Sequence, residues 1–195
     1  MSTSLATAKD VFLDYQREVR QVSPHTLDGY GRDINRFVIC CSDAGKSDVA
    51  DIVEADVRRW VALLHRQGLS ATSIQRALSS LRALFRFLSE RDPAIGNPVL
   101  GVRAPKTRRS LPKTLDPDNV GALFKWRPET TLDHRDMAIA ELLYSSGLRL
   151  SELVAANIGD LEIEESTITV TGKGRKTRNV PVGGPALAAI KKWLA

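Results

Sequence analysis

A chain of 195 residues is long enough for one large domain or two small ones, each with its own buried core. With 43% hydrophobic and 26% charged residues it is not a disordered chain, and no apolar run approaches the roughly 18 residues that span a bilayer. The net charge of +5 is informative mainly through its distribution, which is concentrated in two unopposed clusters described below. The first ten residues lack the basic start and apolar core of a secretory signal, which predicts a cytoplasmic protein.

The first 90 residues read as four helices. Val11, Phe12, Tyr15 and Val19 share one face of a helix near 6–20. Ser23 and Pro24 supply an N-cap and a first-turn proline for a second helix running toward Ala44, with Leu27, Tyr30, Ile34, Phe37 and Val38 as its stripe. Cys40 and Cys41 lie on it. Their adjacency argues against an ordinary disulfide and no Cys or His partner stands at zinc spacing, so they read as small packed thiols and no metal site is predicted. A third helix, 54–67, presents Val57, Trp60, Val61 and Leu64 and stops at Gly68. Ser70 or Thr72 caps a fourth, whose Ile74, Leu78, Leu81, Phe85 and Leu88 form one face. Arg76, Arg82, Arg86 and Arg91 fall off that face, open to solvent or to a phosphate backbone.

Residues 92–117 change character. Five prolines and two glycines disfavour helix and predict a stiff connector between a 1–92 domain and a 115–195 domain, with 93–114 as linker. Between Arg103 and Lys113 stand five basic residues and no acidic one, and Arg103, Lys106, Arg108 and Arg109 are candidate DNA contacts.

Beyond the linker, a short helix begins at Asp116-Pro117-Asp118. A longer one spans 133–146, with Met137, Ala140, Leu143 and Tyr144 on its expected buried face. Gly147 breaks it and Leu150 begins another. Residues 166–171 and 177–182 alternate as paired strands, 161–164 offers a third, and a last helix starts near Pro185. The fold class is therefore mainly α with a small antiparallel sheet.

Two segments carry chemistry. Gly147-Leu-Arg-Leu-Ser-Glu-Leu153 places Arg149 at a helix junction with Glu152 three residues on, where a guanidinium can bind two phosphate oxygens without titrating. Gly172-Lys-Gly-Arg-Lys176 places Lys173 on a hairpin tip, where neighbouring charge can lower its pKa and let it donate a proton. Arg175 and Lys176 supply some of that charge, and with Arg178 they are further candidate DNA contacts. Each segment alone also fits a plainer reading: a helix corner with an i, i+3 ion pair, and a solvated basic turn. Neither is a phosphate-binding P-loop, because the required glycine spacing and the strand-to-helix setting are absent.

Taken in order, Ser23-Pro-His-Thr-Leu27, Leu111-Pro-Lys-Thr-Leu115, Tyr144-Ser-Ser-Gly-Leu-Arg-Leu-Ser-Glu-Leu153 and the Gly-Lys-Gly hairpin resemble the tyrosine recombinases. The resemblance is closest to the Xer group and its XerC branch. It implies a SAM-like four-helix core-binding bundle, followed by the first part of an α+β catalytic domain, the two closing on opposite faces of a short DNA core site. It implies cutting and rejoining through a 3′-phosphotyrosyl intermediate, without cofactor or metal, to resolve chromosome dimers at cell division. The partners implied are double-stranded DNA, a XerD-like recombinase in a heterotetramer and a septal DNA translocase, with no membrane.

By position, Arg149 matches the first catalytic arginine, Lys173 the hairpin lysine and Glu152 a supporting acid. The family's His-x-x-Arg segment and nucleophilic tyrosine have no counterpart. His25, His65 and His134 all precede Arg149, while Tyr15, Tyr30 and Tyr144 read as packing residues, so no nucleophile is assigned. The ending at Lys191-Lys-Trp-Leu-Ala195 partway through a helix reads as a truncation. The expectation is a DNA-binding polypeptide that is catalytically incompetent alone, with a non-catalytic integrase-like accessory protein as the alternative.

Overall fold

The computed structural model describes residues 3–106, 114, 116–172, 174 and 176–195. The chain divides into two compact units, Met1–Ser110 and Leu111–Ala195.

The first unit is built from α1 (Leu5–Glu18), α2 (Pro24–Asp43), α3 (Glu54–Arg66) and α4 (Ala71–Arg91). Serine hydroxyls start three of them: Ser4, Ser23 and Ser70 each accept the N–H three residues on. Before α3 the capping runs the other way. Val53 has no side-chain oxygen to offer, and the Asp56 carboxylate reaches back to accept the Val53 N–H at 3.0 Å. A 3-10 turn, Val49–Asp51, leads into it.

The core is rich in aromatic residues. Phe12, Phe37, Trp60 and Phe85 are fully buried with Ile34, Leu78, Leu81 and Leu84. Phe37 meets Trp60 edge-on at 5.2 Å, and Phe12 meets Phe87 at 5.5 Å. Tyr15 and Tyr30 pack against this core, as their helical spacing predicts. Both cysteines are free, and burial pushes the Cys41 thiol up to about 12, so it stays protonated and inert. Residues of the proline-punctuated stretch pack here as well, with Val99 and Val102 buried beside the bundle.

The arginines of α4 have internal partners that their helical positions do not disclose. Arg76 forms an ion pair at 2.5 Å with Asp33, which is wholly buried and also accepts from Ser80. Arg82 donates to the Val102 carbonyl at 2.6 Å, and Arg91 stacks over the Phe87 and Tyr15 rings. Arg86 is the one of the four that stands exposed without a side-chain hydrogen bond among the described residues.

The second unit contains α5 (Pro117–Leu123), α6 (Thr131–Ser146), α7 (Leu150–Ala155) and α8 (Gly184–Leu194). Its sheet runs β1-β2-β3, from Leu161–Glu162, Thr167–Thr171 and Thr177–Pro181, all antiparallel. Ile168 and Val170 project from β2 into a small core with Ala138 and Leu142 of α6, Leu148, Val182, and Ala186 and Ile190 of α8. The buried face of α6 is therefore Ala138 and Leu142. Tyr144, expected on that face, is 65% exposed and lies against Phe124 instead. Apolar residues wrap around α6, so period alone did not single out one face. No helix among the described residues is long and apolar enough to cross a membrane.

Candidate active site

Arg149 owes its position to the break before it. Gly147 closes α6 in the left-handed region at φ 57°, where a side chain is disfavoured, and its N–H bonds the Leu143 carbonyl. The chain then turns extended at Arg149, which becomes the N-cap of α7. The first turn of α7 brings Glu152 back over it.

Glu152 is the hub. Its side chain is 2% exposed, although it is a carboxylate. One oxygen, Oε2, accepts the Arg149 backbone N–H at 2.9 Å and Arg178 Nη2 at 3.0 Å. The other, Oε1, accepts Arg149 Nη1 at 2.9 Å and Arg178 Nη1 at 2.6 Å. Four donors thus satisfy a group that burial alone would destabilise. Hydrogen bonds from Arg178 and from the Arg149 backbone outweigh burial and hold the carboxyl at about 2, so it is ionised at any ordinary pH. The same bonds raise Arg178 above its already high value.

Sheet register brings Arg178 here. It lies directly opposite Val170, whose side chain faces the core, so the Arg178 stem leaves the sheet on the face that α7 covers. The hairpin is closed by the Gly172 N–H on the Lys176 carbonyl at 2.8 Å. Gly172 leaves little room for a side chain. A Cβ there would lie 3.0 Å from Glu152 Oε1 and 3.1 Å from Arg178 Nη1.

The structure therefore joins three of the sequence candidates, Arg149, Glu152 and Arg178, in one cluster. Arg178, one of the candidate DNA contacts, forks its guanidinium onto Glu152, 26 residues away in sequence. Lys176 is exposed, as are Arg103 and Lys106 in the first unit. Lys173, Arg175, Arg108 and Arg109 lie outside the described residues. The role of Gly172 as the close-approach point was not anticipated. The glycines on either side of Lys173 were its only sequence signal.

Chemically, the cluster has the donors to receive an oxyanion. The Arg149 side chain is 66% exposed and has one hydrogen bond to Glu152. A guanidinium has five N–H donors, so several remain for two oxygens of an incoming anion. Its orientation is fixed from behind by an acid that cannot rotate without breaking four bonds.

Comparison with known proteins extends this geometry. Residues 10–92 match the family described as "Phage integrase, N-terminal SAM-like domain", and residues 113–195 match "Phage integrase family". The chain is 43% identical over 187 residues to Tyrosine recombinase XerC of Alcanivorax borkumensis, covering 95% of this chain and 60% of that protein. Its likeness to Tyrosine recombinase XerC of Pseudomonas aeruginosa is also 43%, over 186 residues, covering 95% and 61%. The chain thus spans about 60% of the length of these curated relatives.

Among solved structures, the Tn1549 transposon integrase in complex with a circular intermediate DNA superposes with a TM-score of 0.76 at 18% identity, over 95% of this chain and 64% of that one. A lambda integrase dimer bound to a COC' core site gives 0.75 at 18%, over 98% and 54%. At such identities the likeness is one of fold.

Proposed function

The chain belongs to the phage integrase family of tyrosine recombinases, and from that premise we propose that it is the DNA-binding and phosphate-activating portion of a XerC-type site-specific recombinase. One observation carries the reading. Arg149, the residue that matches the family's first catalytic arginine, is presented to solvent by a buried carboxylate saturated with four N–H donors. Such preorganisation suits a charge that develops on a phosphate during transfer and adds little to ground-state packing.

In this reading Arg149 binds the non-bridging oxygens of the scissile phosphate and stabilises the added charge in the transition state. Glu152 and Arg178 do not touch DNA there; they hold Arg149. Lys173, on the hairpin that Gly172 roots beside Glu152, delivers a proton to the leaving 5′-oxygen. Attack by a tyrosine forms the 3′-phosphotyrosyl bond and frees a 5′-hydroxyl; after strand exchange the 5′-hydroxyl of the partner strand attacks that phosphorus and displaces the tyrosine. Arg103, Lys106, Arg108, Arg109, Arg175 and Lys176 neutralise backbone phosphates. The physiological reaction proposed is chromosome-dimer resolution in the cytoplasm, with a XerD-like recombinase in a heterotetramer and a septal DNA translocase as a further partner.

The three tyrosines of residues 1–195 do not supply the nucleophile. Tyr15 and Tyr30 pack in the bundle, and Tyr144 stacks on Phe124. The 195-residue polypeptide is therefore expected to bind duplex DNA without joining to it. A nicked suicide substrate followed by denaturing electrophoresis tests this. No covalent band is expected, and a band that disappears in Tyr144→Phe would assign the nucleophile to Tyr144 and overturn the reading.

A further inference from the structure

The β2–β3 hairpin is packed at its root and exposed toward its tip. Val170 is the last buried residue of β2. One step on, Thr171 and Thr177 are exposed, with their hydroxyls 3.4 Å apart. Arg178 stands opposite Val170, and the ladder then runs through Thr171–Thr177 to the Gly172–Lys176 closure. At about 3.4 Å per residue, that closure lies about 7 Å along the strands from Arg178. Among the described residues, the Arg178 fork on Glu152 is the one side-chain hydrogen-bonded link from this outer part of the hairpin to another element. Lys173 follows Gly172 directly in sequence, so whatever fixes Gly172 sets where the lysine starts.

That link ends on the same carboxylate oxygen that holds Arg149. Glu152 Oε1 accepts Arg178 Nη1 at 2.6 Å and Arg149 Nη1 at 2.9 Å. Two guanidinium ions drawn to one oxygen repel each other at close range, and each weakens the other's bond. The carboxylate cannot turn away from either, because Oε2 is engaged by Arg178 Nη2 and by the Arg149 backbone N–H. An anion on the exposed edge of Arg149 changes this balance. It draws the Arg149 guanidinium outward, offsets the repulsion and leaves Oε1 more fully to Arg178. The fork tightens, and the outer hairpin with it.

We propose that Arg178 is a positioning residue that couples the two halves of the site: an anion bound by Arg149 fastens the hairpin carrying Lys173, through Glu152 and Arg178. This coupling rests on the Arg149 reading above and gives the site an order, phosphate first and lysine second. Coupling between sites is reciprocal, so a fastened hairpin also holds the anion more tightly.

Hydrogen exchange of single amides, read by NMR on the whole 195-residue chain, tests it with inorganic phosphate against chloride at equal ionic strength. Two bonds of equal length report from opposite ends of the ladder. Gly172 N–H on the Lys176 carbonyl lies beside Glu152, Val182 N–H on the Ser166 carbonyl lies at the root, and both are 2.8 Å. Phosphate is expected to slow Gly172 exchange by about fivefold or more, the lower end of ordinary coupling between sites, and Val182 exchange by distinctly less. Arg149→Gln is expected to abolish the effect. Arg178→Lys keeps the charge but not the fork. It is expected to bind phosphate, followed by the Arg149 amide shift, with the two reporters no longer differing. A merely supporting Arg178 would speed exchange equally with and without phosphate, so a phosphate effect on Gly172 that survives Arg178→Lys overturns the proposal. Equal slowing of both reporters in the wild type overturns it too, and that comparison decides should Arg178→Lys fold poorly. So does slowing that persists in Arg149→Gln, which would mean that phosphate acts at the basic turn itself. If phosphate moves the Arg149 amide without slowing Gly172, the Arg149 reading stands and the coupling is discarded. If it moves neither, both fall.

Discussion

Gly172→Ala is the smallest change that should loosen the Arg149 site without touching its charges. The added methyl would meet Glu152 Oε1 at 3.0 Å and Arg178 Nη1 at 3.1 Å, and so requires one of them to give by a few tenths of an ångström. Neither can give freely. Oε1 already accepts Arg149 Nη1 and Arg178 Nη1 at 2.9 and 2.6 Å, and Arg178 is held a second time through Nη2. Retreat of the carboxylate stretches both bonds, and retreat of the hairpin breaks the Gly172–Lys176 closure at 2.8 Å. Insertion of one methyl into a site that cannot relax costs about 1–3 kcal/mol. With a urea dependence of about 1–3 kcal/mol per molar, the midpoint of the second unit should fall by about 1 M. Urea titration read by hydrogen-exchange mass spectrometry separates the units, and Trp60, buried in the first, reports an internal control. Coincident wild-type and variant midpoints for the β2–β3 peptides would show that Glu152 is not held as rigidly as four bonds imply.

Two further expectations come from buried carboxylates. Glu152 is ordinarily near 4.5 and is held at about 2 in the fold, so its contribution to stability is complete above about pH 4.5 and lost as pH falls toward 2. The thermal midpoint of the second unit should drop across that window in wild type and more shallowly in Glu152→Gln. Parallel curves would refute the assignment. In the first unit, Arg76→Ala leaves Asp33 buried with Ser80 as its one remaining side-chain partner, and breaking such a pair costs about 3–5 kcal/mol. Chemical denaturation read by hydrogen exchange of the α2 and α4 peptides measures it. A loss below about 1 kcal/mol would mean that water reaches Asp33 once the arginine is gone.

The helices were legible because their starts and stops are written locally. Ser23-Pro24, Ser70 and Gly147 each mark a boundary within a residue or two of where it falls. Arg149 and Glu152 were legible for the same reason, three residues apart across a helix start. Arg178 was not. Its pairing with Glu152 depends on a β2–β3 register that sets it opposite Val170, and no local pattern carries that information. The arginines of α4 show the same limit. Arg76, Arg82 and Arg91 look alike on a helical wheel, but their partners are a buried acid of α2, a backbone carbonyl beyond the helix, and two aromatic rings, Tyr15 of α1 and Phe87 of α4 itself. A basic side chain off the apolar stripe is therefore ambiguous until the neighbouring element is known.

The arrangement around Glu152 has an electrostatic consequence of its own. Two guanidinium ions share a single carboxylate, so the trio carries an odd charge, one positive unit left over. A phosphodiester carries one negative unit, and the two cancel one for one. Because the acid is held near 2 and arginine does not titrate near neutrality, that residual charge is constant across the whole physiological pH range. The net positive charge of the trio is thus constant, and under the proposed function any pH dependence of the reaction originates in groups other than these three.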